Sequence, residues 1–195
     1  MNLRTGLLNL PNLLTLARVA AVPVVVILLL SDSRISSMWA AAIFGLAAVT
    51  DFIDGWLARK WGVVTVLGKF LDPLADKLIV MAALIMLIPL DRVPAWAVFV
   101  ILAREMIVTG LRSIASSEGI VIDASDLGKY KTIYQMIAIP GLMLHYDYYW
   151  FFGLEWGAFQ VNMHNFGIFF FAIAFVLTLW SGIDYLQKFF RVFAR

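Results

Sequence analysis

The sequence contains no cysteine, which removes disulfides, thiolate nucleophiles and zinc–thiolate sites together and leaves the redox compartment open. Charge is scarce too. Asp, Glu, Lys and Arg make up 14% of the 195 residues while 63% are hydrophobic; soluble domains carry about 25% and about 45–50% respectively. That imbalance excludes an ordinary water-soluble fold. The 15 Lys and Arg against 13 Asp and Glu leave a net charge of +2. They form no basic stripe of the kind nucleic acid demands, so no nucleic-acid partner is expected. Membrane orientation accounts better for the small excess.

What is present is apolar sequence in long runs. A bilayer crossing takes about 20 mostly apolar residues, and the runs predict six spans near 11–30, 38–58, 70–90, 93–115, 130–150 and 164–190. The expected fold is all-α, integral to the membrane, as one domain over residues 1–195. Arg18 interrupts the first span, so part of it is expected in the interface. The opening after Arg4 has no convincing small-residue cleavage site and reads as a span, not a signal peptide. Basic residues crowd the N-terminus, the second and fourth connections and the C-terminus, with only Arg34 and Arg92 on the opposite side. The positive-inside rule therefore puts both termini in the cytoplasm. The fifth connection, Tyr146 to Asn162, is rich in Tyr, Trp and Phe and suits an outer interfacial belt.

Chemistry concentrates in DFIDGWLARKWGVVTVLGKFLDPLAD, Asp51 to Asp76. At about 100° per residue, Asp51, Asp54, Gly55 and Ala58 share one helix face. Asp72 and Asp76 share another, which Gly68 joins if that helix begins early; Pro73 would be tolerated in a first turn. A helix-turn-helix would turn two carboxylate pairs toward each other at the cytoplasmic end. Carboxylates are costly at a membrane's edge, and an oxygen-only donor set without sulfur or paired histidines suits hard divalent ions such as Mg²⁺ or Mn²⁺. Two ions shared by four carboxylates would suit phosphoryl transfer. The alternative for each Asp alone is an ordinary juxtamembrane charge paired with Arg59, Lys60, Lys69 or Lys77.

The pattern Asp51-x-x-Asp54-Gly55-x-x-Ala58-Arg59, eight residues, Gly68-x-x-x-Asp72-x-x-x-Asp76 resembles the complete signature of the CDP-alcohol phosphatidyltransferases. The resemblance implies a six-helix membrane enzyme, usually a homodimer, that displaces CMP from a CDP-linked lipid with an alcohol. It also implies that Asp51, Asp54, Asp72 and Asp76 hold two divalent ions and that Asp76 is the base for the acceptor hydroxyl. Asp54, Gly55, Ala58, Arg59 and Gly68 would then serve the CDP moiety, the small residues by letting the nucleotide approach helix backbone. Close helix packing is their structural alternative.

The signature does not name the alcohol. Arg104 and Arg112 on the fourth span, with Lys129 and Lys131 opening the fifth, place cations where an anionic acceptor phosphate would be bound. Arg112 and Lys129 are the stronger candidates, being nearer the inner ends of their spans. Positive-inside topology alone, and an internal pair between Arg104 and Glu105, are the bland readings. The segments NLPNLLTLAR, DFIDGWLARKW, GKFLDPLADK, AREMIVTGLR, GKYKT and LTLWSGIDYL resemble one branch of the family, the bacterial phosphatidylglycerophosphate synthases. That resemblance implies CDP-diacylglycerol and glycerol 3-phosphate as substrates, membrane lipid as surroundings, and the bacterial inner membrane with the site facing the cytoplasm. A sister enzyme using inositol phosphate, serine or phosphatidylglycerol shares the signature. A divalent-cation transporter would need carboxylates along a path, whereas the last two spans offer only Asp147 and Asp184 near their ends. His145 and His164 read as interfacial or structural.

Overall fold

The computed structural model describes residues 10–61, 66–122, 126–150 and 159–193; within them the side chains of 10–12, 51–61, 66–73, 149–150 and 159 lie outside the description. Among the described residues six helices appear where six spans were expected: α1 (Leu10–Leu29), α2 (Arg34–Trp61), α3 (Val66–Leu87), α4 (Ala95–Ser117), α5 (Asp126–Leu144) and α6 (Met163–Phe193). Polar punctuation, invisible to a hydropathy scan, moves several boundaries. α2 starts at Arg34 because Ser33 caps it, its Oγ accepting the Ser36 N–H at 3.1 Å. α3 starts at Val66 and ends at Leu87, not 70–90, so Gly68 is inside the helix and Pro73 lies beyond its first turn. α4 begins directly after Pro94, whose extended backbone (φ −74°, ψ 132°) ends the preceding turn.

The fifth span is corrected most. It closes at Leu144, not residue 150, because His145 takes a left-handed conformation (φ 52°), which histidine tolerates better than most residues. Beyond it the expected loop carries a two-stranded antiparallel sheet, β1 (Asp147–Trp150) and β2 (Phe159–Asn162), with Asp147 opposite Asn162 and Trp150 opposite Phe159. Aromatic residues favour such pairing.

The helices pack as two compact units, Met1–Leu90 and Asp91–Arg195. In the first, α1 lies against both α2 and α3, with Ala40, Ala75 and Ala83 fully buried; small residues let helices approach closely. In the second, α5 and α6 pack along much of their length and α4 joins α6. α5 and α6 come close at Gly141 and Gly167, where a Cβ on Gly167 would stand 2.6 Å from the Leu142 amide nitrogen. Large apolar side chains stay exposed on each of these helices, among them Ile27, Leu46, Leu78, Phe99, Ile133 and Phe169, more apolar surface than a water-exposed monomer carries. Among the described residues α6 is the helix long and apolar enough to cross a membrane, with a mean hydropathy of 2.2 in its most apolar window.

Candidate active site

α2 carries Asp51, Asp54, Gly55, Ala58 and Arg59, and the next helix, α3, carries Gly68, Asp72 and Asp76. All eight signature positions thus fall on two successive helices. The side chains of the first seven lie outside the described residues, and Asp76 is the one whose surroundings are visible. Its carboxylate is about a third exposed, and Oδ1 accepts a hydrogen bond from Arg18 Nη1 at 2.5 Å. Arg18, the charge inside the first expected span, is 2% exposed. Its guanidinium is thus sequestered between α1 and α3 as a counter-charge to the Asp76 carboxylate. Beside it an apolar cavity of about 190 Å³ lies between α1 and α2, bordered by Arg18 and by Thr50 next to Asp51.

The second unit gathers the remaining cations unequally. Glu105 accepts Arg104 Nη1 at 3.0 Å and also Lys131 Nζ, so two cations share one carboxylate. Arg104 Nη2 donates to Ser181 Oγ on α6 at 2.9 Å. Lys131 is buried at 4% exposure, and Gln135, one turn further along α5, is buried with its Nε2 lacking a hydrogen-bond partner. Arg112 is exposed and lies over the Tyr185 ring, 5.9 Å from its centroid. Lys129 sits in the exposed first turn of α5, ahead of the apolar stretch, paired with Asp126 at 2.8 Å. That hydrogen bond and charge hold the Asp126 carboxyl below its usual range and the Lys129 ammonium above its own. The structure therefore brings Arg104 and Lys131 together and leaves Arg112 and Lys129 open to solvent.

The model of the CDP-alcohol phosphatidyltransferase family matches residues 8–181. The chain belongs to the CDP-alcohol phosphatidyltransferase family. It is also similar to proteins named CDP-diacylglycerol–glycerol-3-phosphate 3-phosphatidyltransferase. The Bacillus subtilis protein is 46% identical over 149 residues, 70% of this chain and 77% of its own length. The Rickettsia bellii protein is 45% identical over 136 residues, covering 70% and 75%. The Haemophilus influenzae protein is 37% identical over 186 residues, covering 92% of both chains. As a member of this family the chain is a phosphatidyltransferase whose signature aspartates lie on α2 and α3.

One role outside the signature escaped the sequence. Arg92, read as an outer-side charge, is 1% exposed, and its Nη1 donates to the Met143 carbonyl at 2.5 Å and to Leu142 at 3.4 Å. It caps the carbonyl end of α5 and so carries little information about topology. His145 and His164 meet with Nδ1 atoms 3.0 Å apart, joining the end of α5 to the start of α6; this is the structural role expected of them. Among the described residues no three His, Asp or Glu side chains gather as metal ligands.

Proposed function

We propose that this chain transfers the phosphatidyl group of CDP-diacylglycerol to sn-glycerol 3-phosphate, releasing CMP and forming phosphatidylglycerophosphate. The observation that carries this reading is the family match over residues 8–181 joined to relatives that share one specific name, one of them along 92% of both chains. The reading extends to a single six-span domain over 1–195 in the bacterial inner membrane, both termini and the site cytoplasmic, working as a homodimer.

The donor set fits a pair of divalent ions: four carboxylates, no thiolate, two on each of two successive helices. Asp51, Asp54, Asp72 and Asp76 would hold them, with Mg²⁺ or Mn²⁺ the fitting choices. Bound there, such ions would neutralise the diphosphate and the departing CMP. The chain's own residues do the rest. Asp54, Gly55, Ala58, Arg59 and Gly68 receive the CDP moiety, Arg59 as a donor to its phosphates. Asp76 takes the proton of the acceptor hydroxyl as its oxygen attacks the phosphatidyl phosphorus and the bond from phosphorus to the CMP oxygen breaks. Arg18, through its hydrogen bond to Oδ1, holds the Asp76 carboxylate in one orientation. Arg104, Arg112, Lys129 and Lys131 bind the acceptor phosphate.

The test is CMP release from CDP-diacylglycerol by purified protein in mixed micelles. Release should require glycerol 3-phosphate, stop with EDTA and return with Mg²⁺ or Mn²⁺. Asp76→Asn should abolish it even at saturating metal while leaving the protein folded. Release with serine or inositol phosphate in place of glycerol 3-phosphate would overturn the acceptor assignment.

A further inference from the structure

We infer that one turn of α6, Ser181 to Tyr185, is the template that positions the two arginines of α4, making Ser181, Gly182 and Tyr185 positioning residues for acceptor binding; this rests on the reading of Arg104 and Arg112 given above. The turn lies in LTLWSGIDYL, a segment to which the signature gives no role. Three contacts carry the inference. Ser181, 1% exposed, accepts Arg104 Nη2 at 2.9 Å and donates its own proton to the Leu177 carbonyl at 2.6 Å. Its hydroxyl is thus committed as an acceptor toward the arginine. A Cβ on Gly182 would lie 3.0 Å from Arg104 Cγ, so the arginine stem passes close over α6 at Gly182 and an alanine there would press it by a few tenths of an ångström. Tyr185, one turn on, underlies the Arg112 guanidinium.

Arg104 and Arg112 are eight residues apart, about 80° around α4, so two holds on one α6 turn fix both the depth and the rotation of the cationic face. A hydroxyl suits this task. A second carboxylate in place of Ser181 would cancel the charge that Glu105 already shares between Arg104 and Lys131, whereas serine orients the guanidinium and leaves that charge for an anion. Arg104 Nε is buried and without a hydrogen-bond partner, so the guanidinium retains a donor.

The experiment measures KM for glycerol 3-phosphate, KM for CDP-diacylglycerol and kcat for Ser181→Ala, Gly182→Ala and Arg104→Lys, alone and combined, in the purified enzyme. Each single variant should raise the glycerol 3-phosphate KM about tenfold, the worth of one charge-assisted hydrogen bond, with the other two parameters within about twofold. In the Arg104→Lys background the Ser181 and Gly182 changes should add almost nothing, since the group they position is gone; a merely structural defect would persist there. Ser181→Ala removes a single oxygen and keeps the measurement open if Gly182→Ala folds poorly. If Arg104→Lys raises KM while both α6 variants leave it unchanged, the template is refuted and the acceptor reading stands. If Arg104→Lys itself leaves KM unchanged, the acceptor reading of Arg104 fails and the inference with it.

Discussion

Replacing Gly167 by alanine tests how far α5 and α6 depend on backbone contact. The added Cβ would stand 2.6 Å from Leu142 N, 2.8 Å from Leu142 Cγ and 2.9 Å from Gly141 C. Two of the three are backbone atoms on a rigid helix, so no side-chain rotation relieves them. Reaching ordinary contact at roughly 3.5–4.0 Å requires the helices to part by about 1 Å at the crossing. Overpacking of that kind costs about 1–3 kcal/mol, and the backbone origin of the clash places this case near the upper end. At about 2–4 °C per kcal/mol for a chain of this size, Tm should fall by roughly 6–12 °C. The assay is thermal unfolding in detergent, followed by loss of the monodisperse peak on size-exclusion chromatography. Gly110→Ala in α4 is the control. Nothing lies within 4 Å of its Cβ position, and the better helix former should leave Tm level or slightly higher. A Gly167→Ala protein melting within 1 °C of Gly110→Ala would refute the close approach and the helix register built on it.

Arg18→Met should lower Tm by removing the guanidinium paired with Asp76, and adding Asp76→Asn should recover part of that loss; a further fall in the double variant would contradict the pairing. Arg92→Met leaves the Leu142 and Met143 carbonyls without their donor, at about 1–3 kcal/mol for each unsatisfied group, so amide exchange at the end of α5 should accelerate while that of α1 does not. Arg112→Ala and Lys129→Ala should each raise the glycerol 3-phosphate KM about tenfold to a hundredfold, from roughly 1.5–3 kcal/mol per phosphate contact. Because the Asp126–Lys129 pair is exposed, Lys129→Ala should leave Tm unchanged near neutral pH. With the Asp126 carboxyl lowered, any stability from the pair is present above its unfolded pKa and fades only as acid protonates it.

Much of this protein was written locally. Six apolar runs correspond to the six helices among the described residues, since a long apolar run satisfies its backbone groups within itself as a helix, and the signature aspartates fell on successive helices because their three- and four-residue spacings are helical. The hairpin and the early end of α5 were missed because a left-handed His145 and aromatic strand pairing leave no mark on an apolar-run count. Arg18 left a signal, a charge inside a span, without saying what would neutralise it. Its partner Asp76 is 58 residues away and Ser181 is 77 residues from Arg104. Composition, helix number and the identity of the chemistry are thus sequence properties, since periodicity and spacing act within a few turns. Which cation pairs with Asp76, which lysine is buried and which small residue lies against an arginine stem are tertiary properties. They depend on which helix faces pack together, and in an apolar chain every face offers much the same hydrophobicity until small residues and buried charges select among them.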